Sequence, residues 1–276
     1  MTLQDIIAIA GLSAAVFSAV AAAFAVKQSK LQRTTLTKPQ LIVSNIGISV
    51  ERKPNEVFSL LPKDDDHLPY FQVPIKNVGL GTALNLKYSW DFDYTIALDA
   101  CGFSKTNAHQ MGAMRSAKKT DRIENSVYVE ENEKKGYSFF SFFKNGKYAG
   151  FVIKKSYIDI EYIIPITQDK NPTLLTLPYL IPILTFNNLQ NFSSDPHDDF
   201  EDKHLGTLRV YYEDISGCSF NVKFSCKLRL IKYTSSISEG IEAVYELNLS
   251  RVHKTFFIKK LLNIIDSKFI LPRKRF

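Results

Sequence analysis

The chain opens on an uncharged apolar run that is followed at once by basic residues. Ile6 to Val26 is a stretch of 21 residues without a charge, long enough for a helix to cross the hydrocarbon core of a bilayer. Residues 1–5 form a short acidic tip, and residues 27–38 form a basic linker. The pattern predicts a signal anchor, with a single transmembrane helix over 6–26.

The charges that flank this span predict its orientation. Asp5 precedes the span and basic residues follow it, so the positive-inside rule places the N-terminus outside and the remaining 250 residues in the cytoplasm. Three linker residues are expected at the membrane surface: Lys27, Lys30 and Arg33. Two alternatives stay open. One is a cleaved signal peptide ending near Ala23-Phe24-Ala25, which the acidic start disfavours, and the other is a buried helix of a soluble protein.

Small residues recur along the span at a spacing that brings them to one helix face. Gly11, Ala15, Ala19 and Ala23 stand four residues apart, and small residues at this spacing let helix backbones approach closely in lipid. The pattern is typical of an oligomerising span, and a merely alanine-rich span is the alternative.

Residues 39–250 contain short runs, rich in β-branched and aromatic residues, that predict strands. Turn residues separate these runs at three places: Asn145-Gly146 within 137–166, residues 213–218 between 206–212 and 219–230, and Gly79 with Gly81 between two strands of 71–90. Gly81 is expected to need a positive φ. Few helical periods accompany the strands, so an antiparallel β-sandwich or barrel is predicted.

Two segments of this domain break the strand pattern. Residues 99–136 have mixed polarity without a clear period, which predicts an irregular insertion of loops and a short helix. The uncharged run 174–186 is only 13 residues long and contains Pro178 and Pro182, which weigh against a helix through the bilayer. We expect a buried edge strand or extended segment there, with a hydrophobic loop against the membrane or a partner as the alternative.

The C-terminal tail, residues 251–276, is strongly basic. It carries a net charge of +7, residues 27–53 carry +5, and residues 54–250 carry −4. Within 256–271 the apolar residues fall on one helical face, which predicts a short amphipathic helix that lies on anionic lipid or packs on its own domain. Five residues of this tail are expected at the membrane surface: Lys259, Lys260, Arg273, Lys274 and Arg275.

Composition narrows the classes of function. Three cysteines among 276 residues are too few for a disulfide scaffold and agree with a reducing compartment. The basic regions lack interleaved aromatic residues and any nucleic-acid-binding motif, so no nucleic acid is expected as a partner. The sequence contains no phosphate-binding loop, nucleophile elbow or zinc-protease motif, and it predicts no cofactor.

One segment concentrates groups that could carry chemistry. Residues 195–204 hold two histidines and five carboxylates, groups that can bind divalent cations. Their spacing matches no established metal loop, so a solvated acidic loop is expected instead. The metal-ligand candidates are His197, Asp198, Asp199 and His204.

The segment Asn77-Val-Gly-Leu-Gly-Thr-Ala-Leu-Asn85 resembles the Asn-x-Gly-x-Gly-x-Ala turn of immunoglobulin-like sandwich modules. Such modules occur in single-pass, membrane-anchored bacterial proteins of unassigned function. The segment Val210-Tyr-Tyr-Glu-Asp-Ile-Ser-Gly217 is similar to the late hairpin that often accompanies this turn. The resemblance covers about 40 residues and implies a fold and a topology. Some proteins of this kind belong to phage-defence loci, which implies an antiviral setting.

Together these patterns predict a mainly β protein: a single transmembrane helix, an antiparallel β-sandwich and a short C-terminal amphipathic helix. The function expected is a non-enzymatic binding or effector module at the bacterial inner membrane, possible partners being a second copy, another protein and anionic lipid. An anti-phage defence system is the expected setting. Two alternatives stay open: an extracytoplasmic adhesin or envelope sensor, and an enzyme whose active site lies around 195–204.

Overall fold

A computed structural model describes residues 3–53, 56–63, 70–109, 125–154, 156–192, 202–236 and 240–252. The fold class predicted from the sequence is confirmed, because the described residues form mostly antiparallel strands preceded by one apolar helix long enough to span a membrane. The predicted amphipathic helix of the tail falls in 253–276, outside the described residues.

Helix α1 runs from Leu3 to Thr37, 35 residues that extend for about 52 Å at the usual rise of 1.5 Å per residue. The basic segment predicted as a linker is therefore helical almost to its end. Lysine, glutamine, leucine and arginine favour a helix there. Pro39 ends it, because a proline disfavours helical geometry at the residue before it, Lys38.

The fourteen strands described are short apart from the last three. In chain order they are β1 (Leu41–Val43), β2 (Ile46–Arg52), β3 (Leu60–Pro62), β4 (Tyr70–Asn77), β5 (Ala83–Asp91), β6 (Ser104–Thr106), β7 (Ser126–Asn132), β8 (Tyr137–Lys144), β9 (Lys147–Lys154), β10 (Ile158–Ile163), β11 (Thr173–Pro178), β12 (Lys203–Glu213), β13 (Ser219–Ser236) and β14 (Gly240–Arg251). Two more helices are α2 (Tyr94–Ala100) and α3 (Leu180–Phe192).

Two sheets pack face to face as a sandwich. One has seven strands in the order β10-β5-β12-β13-β14-β2-β3, and the other has three in the order β1-β4-β11. Alternate side chains of both sheets meet in one apolar core, in which Val73, Ile75 and Leu175 face Tyr88 and Leu208. The alternation in the sequence therefore marks which side chains of each strand are buried.

A third sheet, in the order β6-β7-β8-β9, lies beside the sandwich and covers a second core. Four phenylalanines belong to that core, and Phe58 is in edge contact with Phe142 and Phe151. The prediction of an irregular insertion over 99–136 is wrong for its described part, since β6 and β7 are strands of this sheet. Asn145 and Gly146 have φ angles of 52° and 77°, so they form the two-residue hairpin turn predicted between β8 and β9.

The uncharged run 174–186 differs from its predicted extended form. Its first part is strand β11, but its second part belongs to α3, with Pro182 in the first turn. Proline is tolerated there because the first amide groups of a helix have no partner within the helix. Asn187 ties α3 to the sandwich, since its side-chain oxygen accepts hydrogen bonds from the backbone amides of Ser59, at 2.8 Å, and Leu60, at 3.2 Å.

Candidate functional site

The junction between α1 and the sandwich is built around the buried side chain of Asn77, at the end of β4. Its Oδ1 accepts hydrogen bonds from the backbone amides of Gln40 and Gly79, each at 3.0 Å. Its Nδ2 donates to the carbonyl oxygens of Gly81, at 2.6 Å, and Ile163, at 3.2 Å. One amide side chain thus holds together the chain leaving α1, the turn after β4 and the end of β10.

The two glycines of this turn lie against the end of α1. A Cβ atom at Gly81 would overlap the carbonyl oxygen of Thr37, and one at Gly79 would overlap that of Lys38. The predicted positive φ of Gly81 is wrong, because neither glycine adopts one. Glycine is required here by the close approach of two backbones. The turn also does not close a hairpin, since β4 and β5 belong to opposite sheets.

Aromatic residues of β12 and β13 complete the junction. The Tyr212 hydroxyl donates to the carbonyl oxygen of Pro39 at 3.4 Å, and the Tyr212 and Phe220 rings stack with their centroids 5.1 Å apart. The ammonium group of Lys38 lies 5.3 Å from the centre of the Phe220 ring, in cation–π geometry. The end of α1 is thereby fixed to both layers of the sandwich.

The side chains of α1 that the structure describes up to Gln32 are exposed. Gly11, Ala15, Ala19 and Ala23, the predicted oligomerisation face, are among them, as are Lys27 and Lys30. The side chain of Arg33 lies outside the described residues, as do the five basic residues predicted at the membrane surface in the tail. The structure thus leaves the apolar part of α1 uncovered by the sandwich.

A cavity of about 540 Å³ opens on the seven-stranded sheet, where the end of β5 meets α2, α3 and the start of β12. This volume is within the usual range of sites for small molecules, about 300–1,000 Å³. Its lining combines apolar side chains with carboxylates, a cation and an imidazole. The residues that set its chemistry are Asp91, Phe92, Asp93, Asn188, Leu189, Lys203, His204 and Leu205.

The backbone of β12 and two aspartate side chains shape the lining of this cavity. Strand β12 has an irregular register between His204 and Gly206, and Gly206 has a φ of 130° that favours glycine. Asp91 forms an ion pair with Arg209 on the neighbouring strand. Asp93 caps α2, because its Oδ1 accepts a hydrogen bond from the backbone amide of Ile96 at 3.0 Å.

Asn188 lines the cavity, and its Oδ1 atom is buried without a hydrogen-bond partner among the residues that the structure describes. A buried acceptor without a donor costs about 1–3 kcal/mol. A second cavity of about 510 Å³ shares Asp91, Phe92 and Asp93 with the first and extends towards Lys105 and Ser138.

The structure brings only one of the four metal-ligand candidates to this site. His204 lies on β12 at the cavity, whereas His197, Asp198 and Asp199 lie outside the described residues. The described residues contain no group of three histidines, cysteines or carboxylates that could hold a metal ion. The sequence interpretation missed Asp91, Asp93 and Asn188, although the helix cap at Asp93 was visible as an aspartate ahead of a short helical segment.

Burial raises the pKa of two of the three cysteine thiols, Cys101 and Cys226, from 9.0 to about 12. Cys218 is exposed, and all three cysteines are free.

No protein-family model, curated protein or solved structure matches the chain.

Proposed function

We propose that this protein is a membrane-anchored, non-enzymatic binding module, in which α1 crosses the membrane and the sandwich binds a ligand or protein partner. The observation that carries the proposal is the uncovered apolar surface of α1 over Gly11–Gln32. Phe17 and Phe24 are 76% and 63% exposed, and burying one large apolar side chain is worth about 1.5–3 kcal/mol. A bilayer supplies the burial that the sandwich does not.

Extraction of bacterial membranes with alkaline carbonate tests the anchor in the full chain. The double substitution Val16→Glu and Val20→Glu places two carboxylates in the centre of the span, at a cost of about 2.5–3.5 kcal/mol each. We expect the wild type to stay in the pellet and this variant to be extracted. Ile96→Glu and Tyr233→Glu together, at exposed positions of α2 and β13, serve as the matched control. Extraction of the wild type would overturn the proposal.

For the orientation, we propose a bacterial inner membrane with the sandwich in the cytoplasm. The exposed Lys27 and Lys30, which follow the span, support it through the positive-inside rule. A phosphatase that is active only in the periplasm, fused to the C-terminus of the full chain, should be inactive. Strong activity would instead favour the extracytoplasmic adhesin or envelope sensor.

The cavity beside α2 and α3 supports the binding part of the proposal. It is large enough for a small molecule, and its lining combines Leu205 and other apolar side chains with polar groups. His204 also keeps an enzyme as a second candidate, because a histidine at a cavity can transfer protons. Because His204 also lines the proposed binding cavity, loss of function in His204→Ala favours the enzyme where both folding and ligand binding stay intact.

We further propose that α1 associates with a second copy through Gly11, Ala15, Ala19 and Ala23, and that the protein acts in anti-phage defence. The spacing of these exposed small residues supports the association of two copies, and the resemblance of the Asn77–Asn85 turn supports the role in defence. Plaque counts on cells with and without the protein test the role in anti-phage defence. Ala15→Ile with Ala19→Ile should abolish protection, whereas Ala21→Ile, on the opposite face, should not.

A further inference from the structure

Strand β9 is an outer strand of the third sheet, and no strand that the structure describes pairs with its far side. Its eight residues pair with β8 in one unbroken register, without a bulge or a proline. The inward positions Ala149, Phe151 and Ile153 pack on the second core. The outward positions alternate with them and are exposed, Val152 by 63% and Tyr148 by 39%. The strand therefore presents a regular edge with an apolar outer face.

The other outer strands of the three sheets carry the protection that natural sheets use against edge-to-edge pairing. Strands β1, β3 and β6 are three residues long, β11 ends on Pro178, and β10 carries Asp159 and Glu161. Strand β9 has none of these features and is protected only by a lysine at each end. A long, regular, apolar edge of this kind favours pairing with a further strand.

The hairpin determines which backbone groups of β9 face this edge. Where two residues form the turn, the residues that flank it, Lys144 and Lys147, exchange hydrogen bonds with each other. Every second residue of β9 then bonds to β8. The residues between them, which include Gly150 and Val152, direct their N–H and C=O groups away from β8. The residues with outward side chains are therefore those whose backbone groups face the edge.

A second copy fits this edge because the strand is complementary to itself. Two copies related by a two-fold axis perpendicular to the sheet pair antiparallel, so outward residues lie opposite outward residues. With the axis at Gly150, Val152 of one copy lies opposite Tyr148 of the other. The two exposed outward side chains with large apolar surface then cover each other on both sides of the axis, and such cross-strand pairs stabilise a sheet.

The same register keeps like charges apart. Lys147 lies opposite Ile153 of the second copy, and Lys154 lies opposite Gly146, so no lysine faces a lysine. Lys147 also has a counter-charge in its own copy, since its ammonium group lies 2.5 Å from a carboxylate oxygen of Glu56. Repulsion between directly opposite lysines therefore does not oppose the pairing.

We propose that two copies of this protein pair through β9 around a two-fold axis at Gly150, so that their third sheets join into one continuous sheet. The pairing occupies the edge of both copies, so it closes at a dimer. The inference goes beyond the proposed association through α1 and does not rest on it, because it assigns an interface between copies to the third sheet.

Disulfide cross-linking between two cysteine variants of the full chain tests the pairing and its register. Both variants carry Cys218→Ser, which leaves only the buried Cys101 and Cys226. Protein with Tyr148→Cys and protein with Val152→Cys are coexpressed with different tags and oxidised in the membrane. In the proposed register the two new thiols lie opposite each other, with Cα atoms about 5.5 Å apart, which is within the range of a disulfide. We expect a cross-linked heterodimer.

Each variant expressed alone is the matched control. In the proposed dimer the two copies of residue 152 are displaced by four positions along the strands, about 13 Å, which is too far for a disulfide. We expect either variant alone to give at least about tenfold less cross-linked dimer than the coexpressed pair. Equal yields from all three would show collisions without a register and would overturn the proposal.

Two more measurements separate pairing through β9 from association through α1. The coexpressed pair that also carries Ala15→Ile and Ala19→Ile should still cross-link, and loss of the cross-link there would show that α1 alone brings the copies together. If no heterodimer forms in either background while Trp90 fluorescence shows folded protein, the β9 pairing is wrong and the association through α1 is unaffected. A disulfide from residue 152 to a protein of another mass would show that a foreign strand covers the edge, and would overturn the proposal equally.

Discussion

Replacing Asn77 with alanine tests whether one side chain holds the junction together. The substitution leaves the amides of Gln40 and Gly79 and the carbonyl oxygens of Gly81 and Ile163 without their partner. A buried polar group that loses its partner costs about 1–3 kcal/mol. Even at the lower limit the four groups together cost about 4 kcal/mol, a large part of the 5–15 kcal/mol that stabilises a typical domain.

Urea unfolding of the full chain in a mild detergent measures this loss. Trp90 is the only tryptophan, and its indole N–H donates to the carbonyl oxygen of Thr176 at 2.7 Å between the two sheets. Its fluorescence therefore reports unfolding of the sandwich and not of α1. With a slope of about 2 kcal/mol per molar urea, a loss of 4 kcal/mol lowers the midpoint by about 2 M.

Asn171→Ala is the matched control, because Asn171 is exposed and lies outside the junction. We expect it to change the free energy of unfolding by less than about 0.5 kcal/mol. If Asn77→Ala shifts the midpoint by no more than this control, the four hydrogen bonds do not hold the junction and the reasoning is refuted.

Two further predictions concern the junction glycine and the thiols. Gly81→Ala should destabilise the sandwich by more than about 2 kcal/mol, since its Cβ would overlap backbone, whereas Gly47→Ala, with open space around the new atom, should stay within about 1 kcal/mol. Equal urea midpoints for the two variants would contradict the close approach. At pH 8 a thiol reagent should modify Cys218 and spare Cys101 and Cys226. Because the pKa of both buried thiols is raised from 9.0 to about 12, their contribution to stability is complete below pH 9 and is lost as the pH rises towards 12. Urea midpoints that stay constant from pH 8 to pH 11 would contradict the expected loss of stability from the two buried thiols.

The features that sequence analysis predicted well are those that local chemistry determines. Asn145-Gly146 can adopt two consecutive positive φ angles at little cost, so its hairpin follows from two residues. The uncharged run near the N-terminus is likewise sufficient to predict a helix of membrane-spanning length. In neither case does the conformation depend on a distant part of the chain.

The features that sequence analysis missed depend on distant contacts. Gly81 sits in a turn, as predicted, but the reason for glycine is the backbone of Thr37, which lies 44 positions earlier in the sequence. The cavity likewise combines Asp93, Asn188 and His204, from three separate elements. The helical second part of 174–186 is compatible with Pro182, because this proline lies in the first turn of α3.

In the membrane-anchored module proposed above, the junction determines what binding at the sandwich would transmit to the membrane. Asn77 anchors the residues after α1 through a hydrogen bond to Gln40, and Tyr212 holds Pro39, so no flexible linker separates α1 from the two sheets. A rigid connection passes on rotations of the sandwich that a flexible one would absorb. In the proposed membrane-anchored module, ligand binding or pairing of two copies would act on the arrangement of the spans through this connection, and Asn77→Ala should weaken that coupling without removing the anchor.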